Sequence, residues 1–392
     1  MNNKEPLWTK DFVLICILNL LVFTSFYFLL PTLPIFVTDV LKGDESQVGY
    51  IIGILTLMAV AVRPLSGFLI DAVGRKQIFF LALLFYVISM AGYIFVTSLA
   101  LLFLLRFVHG AAWGFATTSA GTVVADLVPA SRRGEGMGYY GLSNTVAMAV
   151  GPVLALAIIN QVDFNLLFTS ALALSILGFL CMFGISYPVS SKKSNKFTFS
   201  LESFYEPRVL SLSLMLFFIT FGYGGIVSFI TIYAKDLNID NPGMFFFAYA
   251  TILLFVRPYA GKVFDSQGPF KIMAVGFIAI IISFIILFLA GGMSYYVLSA
   301  VFLGIGFGIV HPTAVAMAIN RVEPFRRGAA NATIFSAFDL GIGLGSILLG
   351  YLSKAAGLPF MYLSCGIIIL IPLWLFYNKI IPEYYSETDI KT

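Results

Sequence analysis

Arg63 and Arg257 open two stretches that repeat each other. RPLSGFLIDAVGRK runs from Arg63 to Lys76, and RPYAGKVFDSQGPFK runs from Arg257 to Lys271. At an offset of 194 residues, Arg63 pairs with Arg257, Gly67 with Gly261, Asp71 with Asp265 and Gly74 with Gly268. The same offset pairs Gly110 and Gly114 with Gly304 and Gly308, Arg132-Arg133-Gly134 with Arg326-Arg327-Gly328, and Gly151 with Gly345. One half of the chain copies the other, so the fold must be built from two equivalent halves in the same order.

The chain is 60% hydrophobic and only 11% charged, with a mean hydropathy of +0.97. Water-soluble domains are about 45–50% apolar and about 25% charged. That much apolar surface calls for a bilayer as solvent. A membrane span takes roughly 20 apolar residues. Twelve stretches qualify, at about 11–37, 48–70, 78–97, 99–127, 136–160, 165–187, 209–234, 243–264, 271–291, 294–320, 328–352 and 358–381. Each is expected to be helical, because lipid offers the backbone no hydrogen-bond partner. The fold class is therefore all-α, with twelve transmembrane helices. The offset maps the second span onto the eighth and the fourth onto the tenth. Residues 1–187 and 208–392 then read as two six-helix bundles joined by a polar, basic linker at 188–207.

Charge distribution sets the expected orientation. With both termini in the cytoplasm, 17 of the 23 Lys and Arg fall on that side. Only Lys42, Lys235 and Lys354 fall outside, while Arg63, Arg106 and Arg257 lie within spans or at their edges. This bias places a multi-pass chain in the plasma membrane with cytoplasmic termini. The basic residues flank helices one or two at a time, so no nucleic-acid surface is expected. Cys16, Cys181 and Cys365 sit in spans without a CxxC pair, so neither a disulfide framework nor a metal site is indicated. No cleavable leader is read in the first apolar run. No GxxxxGK[ST] occurs, so neither ATP nor another cofactor is expected.

Two six-helix halves with this repeated turn resemble the major facilitator superfamily, and the resemblance covers the whole chain. Gly67, Asp71, Gly74, Arg75 and Lys76 match the superfamily's signature in the loop between spans 2 and 3. In the second copy Gly268 is followed by Pro269 and Phe270, and only Lys271 keeps a charge. Arg106, Gly110 and Gly114 resemble the Arg-x-x-x-Gly signature of proton-coupled members, with His109 where the family often has Gln. Gly138, Gly151 and Pro152 approach the antiporter packing signature of span 5. Ala147 replaces its second Gly, and Ala155-Leu156 its last pair. The nearest branch is that of twelve-span drug and metabolite efflux pumps.

The resemblance implies roles for these residues. Asp71 would cap the start of helix 11 and Arg75 would pair with Asp126, so that Gly67, Asp71, Gly74, Arg75 and Asp126 form a conformational latch. The alternative is that these charges only set topology. Arg106 has no obvious partner in sequence, and a cation inside a span is functional by default. Its alternative is a tether to backbone carbonyls. Asp339 is the only carboxylate near the middle of a span, and its repeat mate is Thr145. Asp339, with Arg106 and His311, forms the candidate proton-coupling group. The alternative for Asp339 is a structural hydrogen bond. Asn19, Tyr27, Tyr223 and His109 are the candidate cavity residues, although either histidine could simply be packed. Arg63 and Arg257 read as structural.

The expected function is secondary active transport by alternating access. The expected direction is proton-coupled efflux of small amphipathic organic compounds, either drugs or an exported metabolite such as a metal-chelating compound. The partners are a small-molecule substrate, protons and membrane lipid, with the chain acting as a monomer. Uptake symport of a small nutrient on the same fold is the first alternative, and a non-transporting membrane scaffold the second. An enzyme is not expected, since no acid, base and nucleophile group together.

Overall fold

The computed structural model describes residues 5–43, 45–187, 205–241 and 243–389. Most of the linker expected at 188–207 lies outside the described residues, as do Lys4, Lys192, Lys193, Lys196 and Lys391. The described residues are nearly all helical and contain no strand. Six helices occupy the first half: α1 Lys10–Ile35, α2 Glu45–Ala72, α3 Arg75–Gly92, α4 Leu99–Leu127, α5 Arg133–Gln161 and α6 Phe164–Cys181. The second half holds α7 Leu210–Asp236, α8 Gly243–Gln267, α9 Pro269–Phe288, α10 Met293–Arg321 and α11 Arg327–Ala356. Its last span is broken into α12 Leu358–Ile368 and α13 Leu370–Leu375, then a π-helical stretch, Phe376–Ile380, leads to α14 Ile381–Asp389. Among the described residues, twelve helical stretches are long and apolar enough to cross a membrane.

Local chemistry sets the helix starts. Thr9, Ser98 and Asp163 accept the N–H of Phe12, Leu101 and Leu166 at 3.2, 3.3 and 2.8 Å, each occupying a backbone donor that lipid would leave bare. Gly74 and Gly268 stand before α3 and α9 with φ of +129° and +76°, a region that penalises any Cβ. The turns between α2 and α3 and between α8 and α9 therefore depend on glycine.

Contacts divide the chain into two compact units. The first comprises 1–129, 140–205 and 324–332; the second comprises 130–139, 206–323 and 333–392. The first turns of α5 are thus counted with the second unit, and those of α11 with the first. The packing inside each unit is the same. In the first, α4 packs against α2 and α3, and α1 against α6. In the second, α10 packs against α8 and α9, and α7 against α12. Small residues allow the closest approaches. A Cβ on Gly114 of α4 would lie 2.7 Å from the Ala59 carbonyl oxygen of α2.

Candidate functional site

The Gly74 turn brings Asp71, at the end of α2, and Arg75, at the start of α3, to the end of α4 and the first turn of α11. Asp71 accepts two backbone N–H groups there: Gly328 N at 3.1 Å on Oδ1 and Ala329 N at 2.9 Å on Oδ2. Both are first-turn donors that have no partner within their own helix. A carboxylate on them is favoured by hydrogen bonding and by the positive end of the helix dipole. Gly67 permits the approach, since a Cβ at that position would meet Ala332 Cβ and Gly328 O at 2.7 Å.

Arg75 sits between two carboxylates. Its Nη1 is 3.1 Å from Asp71 Oδ1, and its Nε donates to Asp126 Oδ2 at 3.0 Å. Nη1 also donates to the Ile70 carbonyl, and Nη2 donates to the Pro324 carbonyl. Asp126 also takes Arg327 Nη1 on its other oxygen, at 2.6 Å. Two carboxylates and two guanidiniums thus alternate in one chain of contacts, with side-chain exposures of 4–12%. Charge balances within the cluster, which is what makes burying four ions tolerable.

The second copy differs in composition but repeats the cap. Asp265, at the end of α8, accepts Gly134 N at 2.8 Å and Glu135 N at 2.9 Å, in the first turn of α5. Around it, Glu135 takes Arg132 at 2.7 Å and Lys262 at 3.7 Å.

Arg106 is not the lone cation that its sequence context implied. It is buried, and its Nε donates to the Ile51 carbonyl at 3.0 Å while Nη1 reaches Tyr93 Oη at 3.4 Å. Tyr93 in turn lies 2.9 Å from His109 Nδ1. Because Arg106 can only donate, Tyr93 accepts from it and keeps its own hydroxyl proton, with His109 Nδ1 within reach. His109 Nε2 has no hydrogen-bond partner among the described residues. His109 is fully buried against Tyr86, Tyr93 and Phe26.

The other candidates fall into two groups. In the first unit, Asn19 donates to Ser143 Oγ at 2.7 Å and accepts from Tyr140 Oη at 2.9 Å, and Tyr27 reaches Asn144 at 3.4 Å. Tyr27 also lies against Gly151, where a Cβ would come within 2.7 Å of its own Cβ. In the second unit, a Cβ on Gly138 would lie 2.7 Å from the Arg257 carbonyl oxygen, and the Tyr223 ring lies tilted against Phe307 and Tyr249. His311 contacts Phe338, the neighbour of Asp339 in sequence, and both His311 and Asp339 are half-buried. Pro152 lies within α5, which runs on through it. Arg63 is held by Thr117 and Thr118 at 3.0 and 3.2 Å. No group of three metal-ligating side chains occurs among the described residues.

Several residues of these clusters carried no assignment from sequence. Arg327 and Asp265 were visible only as repeat positions, and Glu135, Tyr140 and Ser143 carried no motif. Tyr93 carried none either, one of nineteen tyrosines with nothing local to mark it as the bridge between Arg106 and His109.

A family model described as Major Facilitator Superfamily matches residues 15–318. The staphylopine export protein of Staphylococcus aureus is 26% identical over 382 residues, covering 94% of this chain and 96% of that protein. Among solved structures, the human organic anion transporter MFSD10 superposes with a TM-score of 0.83 at 17% identity, over 95% of this chain and 100% of that one. The fucose:proton symporter of Escherichia coli superposes at 0.77 and 17% identity, over 93% and 97%.

Proposed function

This chain belongs to the Major Facilitator Superfamily, and from that premise we propose that it is a secondary active transporter exporting small amphipathic organic compounds in exchange for protons. It is a multi-pass membrane protein with twelve apolar spans. The observation that carries the direction of transport is the likeness to the staphylopine export protein along nearly the full length of both chains. Staphylopine is therefore the first compound to test.

In this reading, residues 1–187 and 208–392 rock about a central site, with the linker and both termini in the cytoplasm and the protein in the plasma membrane. The Asp71–Arg75–Asp126–Arg327 cluster is a latch that forms and breaks in each cycle. Its charges suit that role, because they can be exchanged for water at modest net cost when the cluster opens at the membrane surface. Asp339 is the group on which proton and substrate compete. Arg106 is tethered, with Nε on the Ile51 carbonyl and Nη1 on Tyr93. His311 and Tyr223 line the substrate path in the second unit, and Asn19 and Tyr27 in the first.

The test is purified protein in proteoliposomes carrying a pH-sensitive dye inside. Addition of staphylopine should drive counter-movement of protons, and Asp339→Asn should retain substrate exchange while losing proton-driven accumulation. Staphylopine uptake in the same direction as protons would establish the symport alternative instead. No movement of staphylopine or of a compound panel would remove the export reading.

A further inference from the structure

The second turn lacks two side chains that the first one uses, yet it holds the same cap. At the 194-residue offset, Arg75 corresponds to Pro269 and Asp126 to Asn320. The residues at these two positions therefore cannot repeat the Arg75–Asp126 pair of the first turn. The C-terminal helix α14 occupies that place. Tyr384 hydrogen-bonds the side chain of Asn320 and lies within electrostatic reach of Arg321 and Asp265. The next residue, Tyr385, reaches the turn itself: a Cβ at Gly268, the repeat mate of Gly74, would lie 3.1 Å from its hydroxyl.

An ion pair anchors α14 in this position. Arg321, at the end of α10, is a buried cation. Its Nη2 is 3.3 Å from Glu383 Oε2 and 3.3 Å from the Ile380 carbonyl, and Nη1 donates to the Arg208 carbonyl. Glu383 also accepts from Ser211 Oγ at 3.0 Å. α14 continues the last span without a break through the π-helical stretch Phe376–Ile380. These contacts seat its first turn beside α10 and place Tyr384 at Asn320.

We propose that α14 is the missing part of the second turn. Tyr384 takes, at Asn320, the place that Arg75 holds at Asp126, and Glu383 fixes it there through Arg321. Tyr384 and Glu383 are thus positioning residues for the Asp265 cap on α5, and the end of the chain belongs to the conformational machinery. The substitution has a physical logic. A hydroxyl–amide contact needs no second ion to balance it, whereas a lone carboxylate at position 320 would need a cation that Pro269 cannot supply.

The inference rests on the transporter reading for its role in the cycle, but the geometry can be tested without transport. Hydrogen exchange is read by mass spectrometry on the full chain in nanodiscs, at the amides of Gly134 and Glu135. Tyr384→Phe and Glu383→Gln should each speed exchange there about three- to tenfold, the worth of one hydrogen bond. Neither should add to the acceleration caused by Asp265→Asn. The corresponding amides of Gly328 and Ala329, capped by Asp71, should not respond. Removal of residues 383–392 should match Glu383→Gln. Should that deletion fail to fold, Tyr384→Phe, which removes a single hydroxyl, decides alone. Unchanged exchange at Gly134 and Glu135, an equal change at Gly328 and Ala329, or effects that multiply with Asp265→Asn would each overturn the proposal. Transport by Tyr384→Phe should fall by a similar factor. If the wild type moves no substrate, the transporter reading fails while the exchange result still decides the role of α14.

Discussion

The two glycine turns, 67–76 and 261–271, carry the same Gly-Asp-Gly frame and differ in what surrounds it. Around the first, four charges alternate: Asp71, Arg75, Asp126 and Arg327. Around the second, Pro269 and Asn320 replace two of them, and the cap persists with bonds of 2.8 and 2.9 Å. The difference separates two layers of the motif. The cap itself is made by a carboxylate, a glycine turn and a helix end whose first N–H groups have no partner within the helix, whatever side chains position them. The ion cluster needs a particular side chain at every corner. The cap can therefore survive the loss of side chains that dismantles the cluster.

The most severe test of this comparison is Arg75→Ala. It leaves two nearly buried carboxylates with one guanidinium, and breaking a buried pair from one side costs about 3–5 kcal/mol. A large fall in the thermal unfolding midpoint in detergent is expected, together with loss of transport. Pro269→Ala, at the corresponding place in the second turn, should cost far less. Equal losses from the two would show that the cluster adds nothing beyond the turn.

Next in size come the caps themselves. Asp71→Asn and Asp265→Asn each remove the charge from two bonds to backbone N–H, at about 1.5–3 kcal/mol for a bond to a charged group. Similar destabilisation of both variants is expected in urea titrations. Asp71→Asn should be the worse, because it also strips Arg75 of one partner. A silent Asp265→Asn would mean that the second cap does not bear on stability.

Glycine substitutions give a smaller and reversed asymmetry. Gly261 faces the Gly134 carbonyl more closely than Gly67 faces Gly328. Alanine at either should overpack by about 1–3 kcal/mol. The ranking, read from thermal midpoints, should place Gly261→Ala as the more damaging.

The smallest expected effect lies within the membrane. Tyr93→Phe breaks the chain from Arg106 to His109 and should cost about 0.5–1.5 kcal/mol. The repeat mates of Tyr93, Arg106 and His109 are Leu287, Ala300 and Leu303, so this polar layer has no copy in the second half. Leu287→Phe, the matching change there, tests packing alone. Nitrogen-15 spectra can follow the histidine directly, since the chain has only two. The wild type should show His109 with its proton on Nε2, and Tyr93→Phe should mix the two tautomers.

The sequence alone determined the twelve spans, the all-helical class and the internal copy. Those properties are local: hydropathy is read residue by residue, and lipid leaves each apolar run no choice but a helix. The glycine turns were legible for the same reason, as was the family to which the chain belongs. The partners were not legible. That Arg75 meets Asp126 came from resemblance, because the two are 51 residues apart and no spacing rule joins them. The bonds from Gly328 and Ala329 to Asp71 are made by backbone N–H groups, which every residue except proline carries, so no residue type marks them. Tertiary structure alone decided that Arg106 is tethered through Tyr93 and Ile51. It also decided that Arg327 closes the first cluster and that α14 lies beside Asn320 and Gly268 of the second. Each of these depends on which helix ends come within about 3 Å of one another, and that distance is set by the packing of whole helices.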